Sequence, residues 1–129
     1  MATYKFEELV VWRKAHEMVL YIYHVSRHFP EDEKFGLTSQ FRRAAVSIEA
    51  NIAEGYKKLS KSDKLRFFNI SQGSLEECRD YHILSRDLGY LQEYEFDKLH
   101  QLTEETSRLL TAYCKGILEN RAINNDTIV

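Results

Sequence analysis

The chain has 129 residues, of which 43% are hydrophobic, 12% aromatic and 29% charged, enough apolar material for one compact domain and too little length for two. Five glycines and one proline exclude a turn-rich β sandwich and leave room for long uninterrupted helices. Eighteen Lys and Arg against twenty Asp and Glu give a net charge of -2, which excludes a globally basic nucleic-acid coat.

From Phe6 to Phe29 the apolar positions Trp12, Ala15, Val19, Ile22 and Phe29, with Ser26 interposed, recur at helical steps and predict an amphipathic helix. Pro30 ends it, and residues 30–36 form a connector closed by Gly36. A second helix follows, with Leu37, Phe41, Ala44, Ile48 and Ile52 as its apolar stripe; Gly55 marks either its end or a point of close packing. Ser60 and Ser62 are candidate N-caps for a third helix, whose main stripe is Leu65, Phe68, Leu75, Cys78 and His82. A second stripe of Phe67, Ile70, Leu84 and Leu88 predicts that this helix touches more than one neighbour, and Gly89 is its expected C-terminal cap. The fourth helix runs from about Glu93 to Asn120 on Phe96, Leu99, Leu102, Thr106, Leu109, Tyr113 and Ile117, and Arg121 to Val129 read as a flexible tail. Four long helices on short connectors predict an all-α, antiparallel up-down-up-down four-helix bundle, a single domain over residues 1–120.

Charge is divided along the chain: residues 1–66 hold 12 basic and 9 acidic side chains, while 67–129 hold 6 and 11. Within the basic half, Lys57, Lys58, Lys61, Lys64 and Arg66 surround the turn between helices two and three, opposed only by Asp63. Such a cluster reads either as a solvated turn or as a set of phosphate contacts, with Arg42 and Arg43 as possible extensions. Helix two also carries a polar row, Gln40, Arg43, Ser47, Asn51 and Glu54, on one face beside the apolar stripe. Ser and Asn are weak helix formers, so the row reads as a packing network within the chain or between subunits, as a solvated face, or as a ligand surface. Glu76 or Glu77 on helix three is its candidate partner inside the chain.

No chemistry of catalysis is legible. The Glu-x-x-His spacing of carboxylate-bridged metal bundles is absent, and the nearest case, Asp97 with His100, occurs once. There is no nucleophile elbow, Walker loop or dinucleotide fingerprint, and Cys78 with His82 lacks an orienting third group. Tyr21, Tyr23, Tyr81 and Tyr113 could stack on bases, but at helical spacing such rings more often serve as core or interface anchors. Cys78 and Cys114 have neither disulfide nor zinc spacing, and no apolar run approaches the roughly 20 residues that span a bilayer. The expectation is a cytoplasmic, non-enzymatic protein with no cofactor, no metal, no membrane and no small-molecule substrate.

The segment FGLTSQFRRAAVSI at 35–48, continued by Asn51-Ile52-Ala53-Glu54-Gly55, resembles a known family. Val11-Trp12, Phe29-Pro30 with Glu33, Gly73-Ser74-Leu75 with Glu77, and Leu88-Gly89-Tyr90 support the match, which spans nearly the whole chain. The family is that of the four-helix-bundle proteins named after reading frames in intervening sequences of bacterial large-subunit ribosomal RNA genes. The resemblance implies a left-handed bundle assembled as a homopentameric ring, without established enzymatic activity or cofactor. It also implies a nucleic-acid connection, since a related accessory protein of diversity-generating retroelements is pentameric, basic and acts with a reverse transcriptase. Two positions depart from the family pattern: Glu49 where Pro is frequent, which predicts a straighter helix, and Ser71 where Ala is frequent. The reading is therefore a homo-oligomer that binds structured RNA or DNA through repeated basic turns, with a protein scaffold that binds no nucleic acid as the alternative.

Overall fold

The computed structural model describes residues 5–119. A 3-10 turn, Phe6–Glu8, precedes four helices: α1 (Val10–Ser26), α2 (Leu37–Lys57), α3 (Lys61–Asp87) and α4 (Glu93–Leu118). α1 is shorter than its apolar period suggested, because the chain turns at Phe6–Glu8 before the helix and leaves it at Arg27, ahead of Pro30. The expected tail from Arg121 to Val129 lies outside the described residues.

The helix ends obey local chemistry. The Glu33 carboxylate accepts the Leu37 N–H at 3.1 Å, supplying the start of α2 with an acceptor that Gly36 cannot provide. Ser60, rather than Ser62, caps α3, its hydroxyl accepting the Asp63 N–H at 3.1 Å. α3 stops at Gly89, whose φ of 81° is natural only without a Cβ; Gly89 N–H donates to Arg86 and Tyr90 N–H to Ser85, satisfying the last carbonyls. A reciprocal capping box of Gln92 and Glu95 opens α4.

Consecutive helices run antiparallel. Arg42 near the start of α2 reaches Ser26 at the end of α1. Gln40, Ser47 and Gly55 of α2 meet Tyr81, Ser74 and Phe68 of α3. Phe68 of α3 packs on Tyr113 of α4, and Lys14 of α1 pairs with Glu105 of α4. Each helix therefore touches two neighbours, the α2–α3 seam is the most extensive, and the diagonal pairs do not meet among the described residues. The centre is filled by Met18, Ile22, Phe41, Ile48, Phe68 and Leu99, all fully buried.

α3 touches both α2 and α4, as its second stripe predicts, but most of that stripe does not make the contact. Ile70, Leu84 and Leu88 are each more than two-fifths exposed, so the described residues leave that side of the helix largely uncovered. Phe67 is half-buried beneath Lys58 and Arg66.

Gly55 resolves the choice left open for it. It lies inside α2, and a Cβ there would stand 2.8 Å from Phe68 Cε1 and 3.0 Å from Phe67 Cβ. Gly73, on α3, would place a Cβ in open space, with nothing within 4 Å. Gly55→Ala is therefore expected to destabilise the protein by about 1–3 kcal/mol through overpacking. Gly73→Ala should stabilise the helix by about 0.5–1 kcal/mol. Urea unfolding of both variants checks the pair, and equal effects of one sign would contradict the close approach at Gly55.

Candidate nucleic-acid interface

The α2–α3 turn gathers all five predicted cations, but it employs them unequally. Lys64 reaches back to cap α2, donating from Nζ to the Tyr56 carbonyl at 2.6 Å and to that of Gly55 at 3.5 Å. Burial lowers its pKa from the ordinary lysine value. Lys58 Nζ and Arg66 Cζ lie 4.8 and 4.6 Å from the centre of the Phe67 ring. Arg66 also approaches Asp63 at 3.8 Å. Lys57, which is exposed, and Lys61, which is half-buried, have no ion pair among the described residues. Arg42 sits far from this turn. Its Nε donates to Ser26 Oγ at 2.8 Å, its Nη2 to the Tyr23 carbonyl at 3.3 Å, and its guanidinium lies 4.6 Å from the Tyr23 ring centre. It thus braces the end of α1 against the start of α2, where cations favour helix carbonyls.

The polar row of α2 divides into a buried-side part and an outward part. Ser47 Oγ meets Ser74 Oγ at 2.8 Å, and Asn51 Nδ2 donates to the Ser47 carbonyl at 2.8 Å and to Ser47 Oγ at 3.0 Å. Gln40, Arg43 and Glu54 face outward, as does Glu77. No ion pair joins Arg43 to Glu77 among the described residues; Glu77 instead accepts from Tyr81 OH at 3.4 Å, and Gln40 accepts from the same hydroxyl at 3.3 Å. Ser71, one of the departures from the family pattern, donates to the Ile48 carbonyl at 2.8 Å across the seam. Glu49, the other, accepts from His16 Nδ1 at 3.0 Å if that nitrogen carries the proton, while the His16 ring stacks on Trp12 at 4.6 Å.

Sequence reasoning missed the bracket at the opposite end. The Glu33 carboxylate receives both the Leu37 N–H and the Tyr90 hydroxyl, the latter at 2.9 Å, joining the 30–36 connector to the α3–α4 connector. Phe29 packs between Phe41 and Tyr90 there. The signal was the co-occurrence of Phe29-Pro30, Glu33 and Tyr90 in the family pattern.

No group of three His, Cys, Asp or Glu able to hold a metal occurs among the described residues, and none of their helices is long and apolar enough to cross a membrane. Burial pushes the Cys78 thiol well above its ordinary range and Cys114 up to about 11, so neither is a ready thiolate. What remains among the described residues is a helical bundle with a cationic turn and no assembled catalytic constellation.

The chain belongs to the 23S rRNA-intervening sequence protein family, whose model matches residues 7–112. Its structure is similar to a crystal structure of a protein of unknown function from the S23 ribosomal protein family of Bacteroides thetaiotaomicron. The TM-score is 0.76 at 24% identity, over 82% of this chain and 99% of the other. Among curated proteins none matches.

His82 is a fully buried histidine, packed edge-on to Phe96 and near His100, and neither ring nitrogen has a hydrogen-bond partner among the described residues. Burial is the main cause that lowers its pKa to about 4, with His100, Arg79 and Arg86 acting in the same direction against Glu104. The unfolded chain takes up this proton near the ordinary value of 6.5, the folded chain only near 4, so stability is full above about pH 6.5 and falls as the pH drops towards 4. Relative to His82→Leu, the native protein should lose up to about 1.4 kcal/mol per pH unit across that window. Denaturant unfolding at pH 7.5, 6 and 5 checks this, and parallel pH profiles for the two proteins would contradict it.

Proposed function

We propose that the protein is a non-enzymatic homo-oligomer, pentameric as its family resemblance implies, that binds structured RNA or a nucleoprotein through repeated α2–α3 turns. The observation that carries this is the pair Lys57 and Lys61, which have no ion-pair partner among the described residues and stand beside Lys58 and Arg66 in a chain of net charge -2. One turn offers few phosphate contacts, but a ring repeats the turn and gains avidity for a long polymer. The family's name refers to intervening sequences of 23S rRNA, which supports RNA as the polymer. Lys64 is assigned to the α2 cap rather than to the ligand, and Arg42 to the α1–α2 brace.

The second reading is a protein scaffold that binds no nucleic acid. It is favoured by the intramolecular contacts of Lys64, Lys58 and Arg66, which account for three of the five turn cations without a ligand. Binding to a structured RNA fragment at two salt concentrations separates the two. Combined Lys57→Ala and Lys61→Ala substitutions should weaken RNA binding and flatten the slope of log affinity against log salt by about 0.7–0.9 for each phosphate that is no longer neutralised. Lys64→Met should instead lower thermal stability and leave the slope intact. An unchanged affinity and slope in the double variant would remove the turn from the interface, and no binding at low salt would favour the scaffold.

A further inference from the structure

Two exposed faces of the chain have opposite charge and similar apolar content. The first is a groove between α1 and the start of α2. Tyr23, Phe35 and Val46 form its apolar walls, and every charged residue that lines it is a cation: Lys34, Arg42 and Arg43. Phe35 is 89% exposed, an unusual state for so large an apolar ring. Arg43 has no ion pair among the described residues. The second face is the outward side of α3 near its end, where Asp80, Ile83, Leu84, Asp87 and Leu88 are all exposed. Of the cations beside it, Arg79 is engaged with Glu76 and Glu104, while Arg86 pairs with Asp87 of this face at 3.0 Å and lies over the Phe96 ring, so Asp80 is the carboxylate of the face that has no ion pair among the described residues.

Both faces lie at the same end of the bundle. The end of α1, the start of α2 and the end of α3 meet there, tied by Glu33 to Leu37 and Tyr90. They point to different sides, because α1 and α3 are diagonal in the bundle and do not touch among the described residues. Complementary patches on different sides of one chain join copies head to tail, an arrangement that forms a ring where the rotation between copies closes.

We propose that the occupant of the groove is a second copy of this chain: the acidic, apolar end of α3 on one subunit docks into the cationic groove of the next. The inference rests on the homo-oligomer reading and specifies its interface. Exposed Leu84 and Leu88, which the described chain leaves uncovered, then become buried against Phe35 and Val46, while Arg43 and Lys34 face Asp80 and the Asp87 carboxylate that Arg86 already pairs.

The test uses two full-length variants in which each face alone is disabled. The groove variant carries Phe35→Asp with Arg43→Asp, and the ridge variant carries Leu84→Asp with Leu88→Asp, so that the two altered faces also repel one another. All four side chains are exposed, and circular dichroism with thermal unfolding confirms that each variant folds; the milder Phe35→Ser and Leu84→Ser, expected to weaken assembly at least tenfold, serve if it does not. By light scattering the native protein is expected to be oligomeric, each variant monomeric, and their equimolar mixture a dimer holding one of each, since a single intact junction remains. A monomeric native protein would overturn the homo-oligomer reading itself. An oligomeric native protein whose variants remain oligomeric, or whose monomeric variants fail to pair on mixing, would leave that reading standing and overturn this interface. Retention of the native oligomer by the groove variant together with loss of RNA or acidic-peptide binding would assign the groove to that ligand instead.

Discussion

The close approach of α2 to α3 is the constraint on which the rest of the structure depends. Ser71 donates to a main-chain carbonyl of α2 at 2.8 Å, and Ser47 and Ser74 touch oxygen to oxygen at 2.8 Å. Contacts this short from side chains this small require the two backbones to lie near one another, which is what Gly55 permits under the Phe68 ring. Once that seam is set, Phe41, Ile48 and Ile52 point into the core, and Gln40, Arg43 and Glu54 are turned outward. The seam also delivers the basic turn, since α2 and α3 are joined by only three residues, Lys58 to Ser60, and the turn's lysines must crowd the joint.

Much of the fold was legible in the sequence because helical periodicity and end signals are local. The stripe of α2, a serine cap at Ser60 or Ser62 and the Gly89 stop each follow from a few neighbouring residues, whereas the α4 stripe placed Leu109 where the structure buries Leu110. The second stripe of α3 rightly implied two neighbours but not which residues meet them: periodicity reports that Ile70, Leu84 and Leu88 share a side of the helix, not whether that side is covered. The start of α1 was overextended because Phe6 continues the apolar spacing while its backbone is in a 3-10 turn.

The candidate site was less legible, because the role of a cation depends on what lies across a turn. Sequence places Lys57, Lys58, Lys61, Lys64 and Arg66 together without distinguishing the cap, Lys64, from the pair over Phe67 and from Lys57 and Lys61, which have no ion pair among the described residues. Arg42 and Arg43 are adjacent in sequence and both line the exposed groove, but only Arg42 braces α1. The polar row of α2 was partly a packing network, through Ser47 and Asn51, and partly a surface, through Gln40, Arg43 and Glu54. The pairing of Glu33 with Tyr90 is 57 residues apart in the chain, beyond any local pattern.

Native-state hydrogen exchange tests the primacy of the α2–α3 seam most directly, because it reports the opening free energy of each helix separately. The account predicts that the slowest-exchanging amides lie in α2 and α3 around Ile48, Ile52, Phe68 and Leu75, and that α1 and α4 open at lower free energy. Slowest exchange in α1 and α4, with α2 and α3 opening locally before them, would contradict it.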